Sequence, residues 1–310
     1  MDQLTTDLDQ LRLASLAWGP VHDPTAPLAV LLHGFPDTAH TWRHLGAALA
    51  GAGYRVVAPF TRGYGPSGFP ADGSYHVPAL MSDALELHAA LGGDERAVLV
   101  GHDWGAITAN GIGAYDASPF RRVVSLAVPP FEAMNPRPGD IGRWARILPR
   151  QALLSWYTVY NQLPGLPERR FDDYVARLWS RWSPGYDAAD DLAHLASSLP
   201  TSEHRSAVLG YYRAAVRPWQ VPSRYRHLGR AAIGMPRVPF LFLHGADDGC
   251  LDPRWAAQVS GRLDGVRGSR VAVVADAGHF LQLERPAVVN ALIVEFLAEL
   301  DGTDGTEEAG

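Results

Sequence analysis

One cysteine, Cys250, in 310 residues leaves the chain without an internal disulfide and without a multi-cysteine metal site. A lone thiol fits a reducing compartment. Positive charge is also in short supply. The formal net charge of −6 argues against a nucleic-acid partner, which would require a basic face. No apolar run reaches the roughly 18 to 20 residues needed to span a bilayer, so no membrane partner is expected. Met1-Asp2-Gln3-Leu4-Thr5-Thr6-Asp7 carries no basic stretch leading into an apolar core, and no secretory signal is apparent. These absences point to the cytoplasm. What is present is the composition of a globular enzyme, 47% hydrophobic and 19% charged with plentiful Gly and Pro. The acidic, small-residue tail 301–310 reads as disordered.

Apolar runs with strand character recur at 28–32, 54–58, 97–100 and 123–128, separated by helix-compatible stretches such as 41–50 and 77–91. Strands alternating with helices predict an α/β fold with a mostly parallel central sheet flanked by helices. The pattern breaks over 131–228, which is rich in Trp, Tyr, Arg and Pro and reads as several short helices. Strand character returns at 238–243 and 270–274, and a closing helix follows at 286–300. The expected organisation is a core domain of 1–130 and 229–300, interrupted by a helical cap at 131–228.

The chemistry concentrates at strand ends. Gly101-His102-Asp103-Trp104-Gly105-Ala106 follows one apolar strand and opens a helix. Small residues at 101, 105 and 106 allow a sharp turn that exposes residue 103, which is the geometry of a nucleophile elbow. An esterase would carry serine there; this chain carries aspartate. Next, Leu243-His244-Gly245-Ala246-Asp247-Asp248 follows another strand and offers two candidate acids. Ala275-Asp276-Ala277-Gly278-His279-Phe280 follows the last strand. His279 stands out among 12 histidines by its small neighbours and its place at a strand terminus. Nucleophile, acid and histidine then occur in the order used by α/β hydrolases. His102 reads as a packing residue.

These motifs, with His33-Gly34-Phe35-Pro36 and Arg62-Gly63-Tyr64-Gly65-Pro66-Ser67, resemble the epoxide hydrolases of the α/β-hydrolase fold over almost the whole length. The resemblance implies that fold, with an inserted cap. It selects Asp248, three residues beyond Gly245, as the acid, with Asp103 as nucleophile and His279 as base. It places an oxyanion hole at the backbone N–H groups of Phe35 and Trp104, with Pro36 fixing the turn through a cis bond. Phe60 stands where that family commonly has aspartate, a departure in packing beside the site.

A carboxylate nucleophile suits attack at saturated carbon, leaving an alkyl ester that His279 helps water to cleave. The leaving group is then an epoxide oxygen or a halide. An opening epoxide needs proton donors, and tyrosines suit that task. Ser155-Trp156-Tyr157-Thr158-Val159-Tyr160-Asn161-Gln162-Leu163-Pro164 and Gly210-Tyr211-Tyr212-Arg213 resemble the two cap motifs of the family, which implies Tyr157 and Tyr212 as the donors. Trp104, Phe35 and Trp156 are the expected substrate contacts. The expected reaction is hydrolysis of an epoxide to a vicinal diol by a monomer or homodimer, with no cofactor and no metal. A haloalkane dehalogenase is the rival: Trp104 fits it, whereas Phe35 replaces its usual asparagine. Fluoroacetate dehalogenases carry arginine after the nucleophile. A non-catalytic receptor on this fold would commonly lack a triad member, and all three are present.

Overall fold

Strand alternation and helix amphipathicity lead to an eight-stranded sheet covered on both faces. The computed structural model describes residues 1–263 and 265–298. The strands are β1 (Asp2–Asp7), β2 (Arg12–Trp18), β3 (Leu28–Leu32), β4 (Arg55–Pro59), β5 (Val98–His102), β6 (Arg122–Leu126), β7 (Phe240–Gly245) and β8 (Arg270–Val274). Their order across the sheet is β1-β2-β4-β3-β5-β6-β7-β8. β1 pairs antiparallel with β2 and β2 antiparallel with β4, while every later pairing is parallel. Central strands are buried on both sides, as parallel sheets require. In β3, Ala29 and Leu31 join one hydrophobic cluster while Leu28, Val30 and Leu32 join the other.

The α/β class and the central strands agree with the sequence, with edges shifted by one or two residues. β1 and β2 were not anticipated. The sequence of β1, Asp-Gln-Leu-Thr-Thr-Asp, buries only Thr6, so an edge strand of this kind lacks an apolar run. The helix Trp255–Leu263 was also not anticipated. The closing helix is described over Pro286–Ala298; residues 299 and 300, like the tail 301–310, lie outside the described residues.

Between β6 and β7 the chain leaves the sheet and forms a helical, cap-like region. Three of its helices are longer than the expected short ones: Ile141–Leu154 and Ser202–Ala215 have 14 residues each and Phe171–Trp182 has 12. The last buries Phe171, Tyr174, Val175, Leu178, Trp179 and Trp182, the spacing of one helical face. That face is pinned to the core. Trp179 stacks on Phe280 with centroids 3.5 Å apart, and its indole N–H donates to the Pro36 carbonyl at 2.8 Å. The Trp182 carbonyl accepts from both His279 N–H (2.8 Å) and Gly249 N–H (3.2 Å). Nearby, Arg43 of the core pairs with the buried Asp191 of the cap at 2.7 Å. Among the described residues no helix is long and apolar enough to cross a membrane.

Candidate active site

Asp103 is the pivot between β5 and the helix Trp104–Gly113, and it adopts φ 52°, ψ −116°. A non-glycine residue here is strained by about 1–3 kcal/mol, which the surrounding packing must impose. The packing is visible. A Cβ on Gly101 would overlap the Gly105 carbonyl, and one on Gly105 would overlap the Leu32 carbonyl, so the turn closes only with glycine at both positions. Asp103 is 4% exposed. Its Oδ1 accepts the Phe35 N–H at 2.8 Å. The Trp104 N–H, first in its helix, has no intrahelical acceptor and adjoins the same spot. Gly34 makes room for this, since a Cβ there would lie 2.5 Å from both Asp103 Oδ1 and Trp104 N.

The Phe35–Pro36 peptide is cis. His33 holds the loop: its Nε2 accepts Thr61 N–H at 3.0 Å, so its Nδ1 carries the proton and donates to the Gly34 carbonyl at 3.0 Å. Burial lowers the His33 pKa to about 4 and keeps the ring neutral.

The acid and base loops converge on Asp103 from β7 and β8. Asp248 is fully buried and Asp247 exposed, which separates the two candidates. Asp248 Oδ1 accepts the N–H groups of Cys250 (2.6 Å) and Leu251 (3.0 Å), while Oδ2 accepts from His279 Nδ1 at 3.0 Å. Burial opposes its charge, but His279, His244 and the backbone donor hold its pKa below the ordinary carboxylate value. With Nδ1 donating to Asp248, His279 turns Nε2 toward Asp103 Oδ2, 3.5 Å away. Burial disfavours the imidazolium, yet Cys250, Asp248 and Asp103 hold the His279 pKa well above its usual value. His102 lies behind, its Nε2 donating to the His279 carbonyl at 2.9 Å. Burial and the neighbouring His279 lower the His102 pKa to about 3, so it stays neutral.

From the cap, Tyr157 and Tyr212 meet edge to face with centroids 5.7 Å apart. Tyr212 also packs edge-on against Phe35 (5.3 Å) and Trp104 (5.0 Å), and Tyr157 against Trp182 (4.9 Å), which itself abuts His279. Burial raises both tyrosine pKa values well above normal and the Asp103 charge adds to the effect, so both keep their O–H protons. The buried Tyr212 hydroxyl has no hydrogen-bond partner among the described residues. Its neighbour Tyr211 instead donates to the Arg62 carbonyl at 2.8 Å, tying the cap to the Arg62–Ser67 loop. Trp156 is half-buried, and its ring contacts are Tyr160, Tyr174 and Arg181 within the cap. Phe60 is buried against His40.

One residue was missed by sequence reasoning. Cys250 Sγ lies 3.3 Å from the Tyr157 hydroxyl, and no spacing rule would have brought a lone thiol there.

The family model for the alpha/beta hydrolase fold matches residues 27–286. Epoxide hydrolase A of Mycobacterium tuberculosis is 32% identical, covering 90% of this chain and 92% of its own length. The chain belongs to the epoxide hydrolase family. A second relative, an epoxide hydrolase of Caballeronia sordidicola, is 33% identical over 89% of this chain and 88% of its own. The crystal structure of Epoxide Hydrolase A from Mycobacterium thermoresistibile superposes with a TM-score of 0.72 at 29% identity, covering 96% of this chain and 98% of that one. This epoxide hydrolase fold therefore carries a buried Asp103–His279–Asp248 cluster with two tyrosines above it.

Proposed function

We propose that the chain hydrolyses an epoxide to a vicinal diol through a covalent ester on Asp103. The observation that carries this reading is the pairing of a buried aspartate in an elbow with two neutral, inward-facing tyrosines. Oδ1 of Asp103 is held by the Phe35 N–H, which leaves Oδ2 to attack the ring carbon. The C–O bond breaks toward oxygen, and Tyr157 and Tyr212 hydrogen-bond to that oxygen and supply its proton.

The hydroxyalkyl ester carries no charge, so His279 loses one of the anionic neighbours that raised its pKa. It then releases its Nε2 proton to solvent, to regain one when the Asp103 charge returns, and is free to take a proton from water. The resulting hydroxide attacks the Asp103 carbonyl carbon, and the oxyanion develops on Oδ1 beside the N–H groups of Phe35 and Trp104. Each donor of this kind is worth about 3 kcal/mol in the transition state. Collapse of the intermediate expels the diol, protonated by His279, and the second water proton returns to the tyrosine. Phe35, Trp104 and, at the cap rim, Trp156 would contact the organic part of the substrate.

The acidic net charge supports a small-molecule substrate over a nucleic acid. The single buried cysteine suits a cytoplasmic enzyme, which we take to work as a monomer or homodimer. A core of 1–130 and 229–300 with a cap of 131–228 is the domain division that fits this reading.

Intact-mass measurement of His279→Gln after exposure to styrene oxide or another aryl epoxide tests the mechanism. The expected result is a gain equal to the whole epoxide, localised to Asp103. An adduct only from a haloalkane, with loss of halide, would favour the dehalogenase. No adduct from either, with an active wild type, would remove the covalent route.

A further inference from the structure

No step of that reaction uses Cys250, yet its side chain is fully buried at the reacting centre. It stands two residues after Asp248, whose Oδ1 accepts the Cys250 N–H, so the turn that seats the acid also turns the thiol inward. A Cys250 sulfur, an His279 ring nitrogen and an Asp103 carboxylate oxygen lie within 4.8 Å of one another. The buried His279 Nε2 makes no hydrogen bond among the described residues and faces Asp103 Oδ2 at 3.5 Å, while Nδ1 donates to Asp248. A carboxylate behind an imidazole is how proteins orient a histidine toward zinc and raise its basicity. Thiolate, imidazole and carboxylate are the donors that Zn²⁺ takes.

We propose that Asp103, Cys250 and His279 form a binding site for a thiophilic divalent cation such as Zn²⁺ or Cd²⁺, and that its occupation reversibly shuts the enzyme down. The binding stands on this geometry alone, whereas the inhibition rests on the reaction proposed above.

The dimensions suit the ion. Tetrahedral zinc bonds of about 2.0–2.3 Å place donor atoms roughly 3.3–3.8 Å apart. Asp103 Oδ2 and His279 Nε2 are already 3.5 Å apart. Rotation of the Cys250 side chain, with loss of its contact to the Tyr157 hydroxyl, brings the sulfur in. The Cys250 proton, which burial holds on up to about 11, and the His279 Nε2 proton both leave to solvent as the ion binds, and the freed sulfur and nitrogen pairs form the metal bonds. His279 binds as neutral imidazole and Asp103 as carboxylate, with no change of oxidation state. Two anionic donors then balance the ion's charge, and the nucleophile and the base are both occupied.

The test titrates Cd²⁺, and separately Zn²⁺, into the full-length enzyme after removal of adventitious metal with EDTA. Cadmium bound to a thiolate gives an ultraviolet charge-transfer band. With one cysteine in the chain, that band reports Cys250 alone. The expected result is one Cd²⁺ per chain with a saturating band, turnover of the epoxide falling in parallel, and recovery on addition of EDTA. Cys250→Ser and Cys250→Ala should abolish the band, and Asp248→Asn should weaken binding by about 10–100-fold. No band with folded wild-type protein would overturn the proposal. So would zinc inhibition at unchanged concentration in Cys250→Ala, shown folded by its thermal melt. A band from protein that turns over no epoxide would leave the metal site standing and remove the reaction.

Discussion

Asp248→Asn separates the two halves of the reaction, and its consequence can be worked from the hydrogen bonds. Asp248 receives three: two backbone N–H groups on Oδ1 and the His279 ring on Oδ2. An asparagine has one acceptor oxygen. Turning its amide nitrogen toward the backbone would leave the N–H groups of Cys250 and Leu251 buried without acceptors, at about 1–3 kcal/mol each. The oxygen therefore stays on the backbone and the amide N–H₂ faces His279. Nδ1 must then accept, and the proton moves to Nε2, the side that should receive one from water. A histidine held in the wrong tautomer costs about 10⁴-fold in rate, or roughly 5 kcal/mol.

The loss should fall on ester hydrolysis alone, because Asp103 attacks without help from a base. Rapid-quench kinetics on an aryl epoxide should show an initial burst of about one alkylated enzyme per active site, followed by turnover slowed by about 10⁴. Alkylation slowed as much as turnover, with no ester accumulating, would refute the reasoning and place His279 in the first step.

Two further outcomes follow from the same geometry. Tyr157→Phe with Tyr212→Phe should reduce ring opening by at least about 10²-fold, with an unchanged circular dichroism spectrum, since general-acid assistance contributes on that scale; undiminished turnover would mean the tyrosines only pack. Asp37 is buried near Asp191, and burial first, then that like charge, raises its pKa from 3.8 to about 7. A raised carboxyl pKa favours the folded state while protonated, so this contribution is complete below about pH 4 and disappears as pH rises through 7. Three units correspond to roughly 4 kcal/mol. Thermal melts from pH 5 to 8 should therefore show a falling stability that Asp37→Asn flattens, and parallel profiles would contradict it.

The triad positions were legible because each sits among small residues at the end of an apolar strand, and strand ends can be read from local composition. Choosing Asp248 over Asp247 required spacing knowledge from the family; the structure separates them by burial, which two adjacent letters do not encode. Tyr211 and Tyr212 are likewise adjacent and chemically identical. One points at the Arg62 carbonyl and the other into the site, a choice made by helix rotation against the core. β1 stayed hidden because an edge strand with one buried residue leaves no hydrophobic trace. Cys250 was read only as a redox marker, since its inward aim depends on how Asp248 caps the turn.

The Trp182 carbonyl has a consequence for how substrate reaches Asp103. One oxygen at the end of the helix Phe171–Trp182 ties the acid loop through Gly249 and the base loop through His279. Swinging the whole cap outward by more than about 1 Å would break both bonds and loosen the catalytic loops together. This helix is thus a fixed doorpost. Helix Ile141–Leu154 is a second post, since its Gln151 bonds to Cys250, Asp252 and Trp255, so lifting either helix would disturb the loop that seats Asp248.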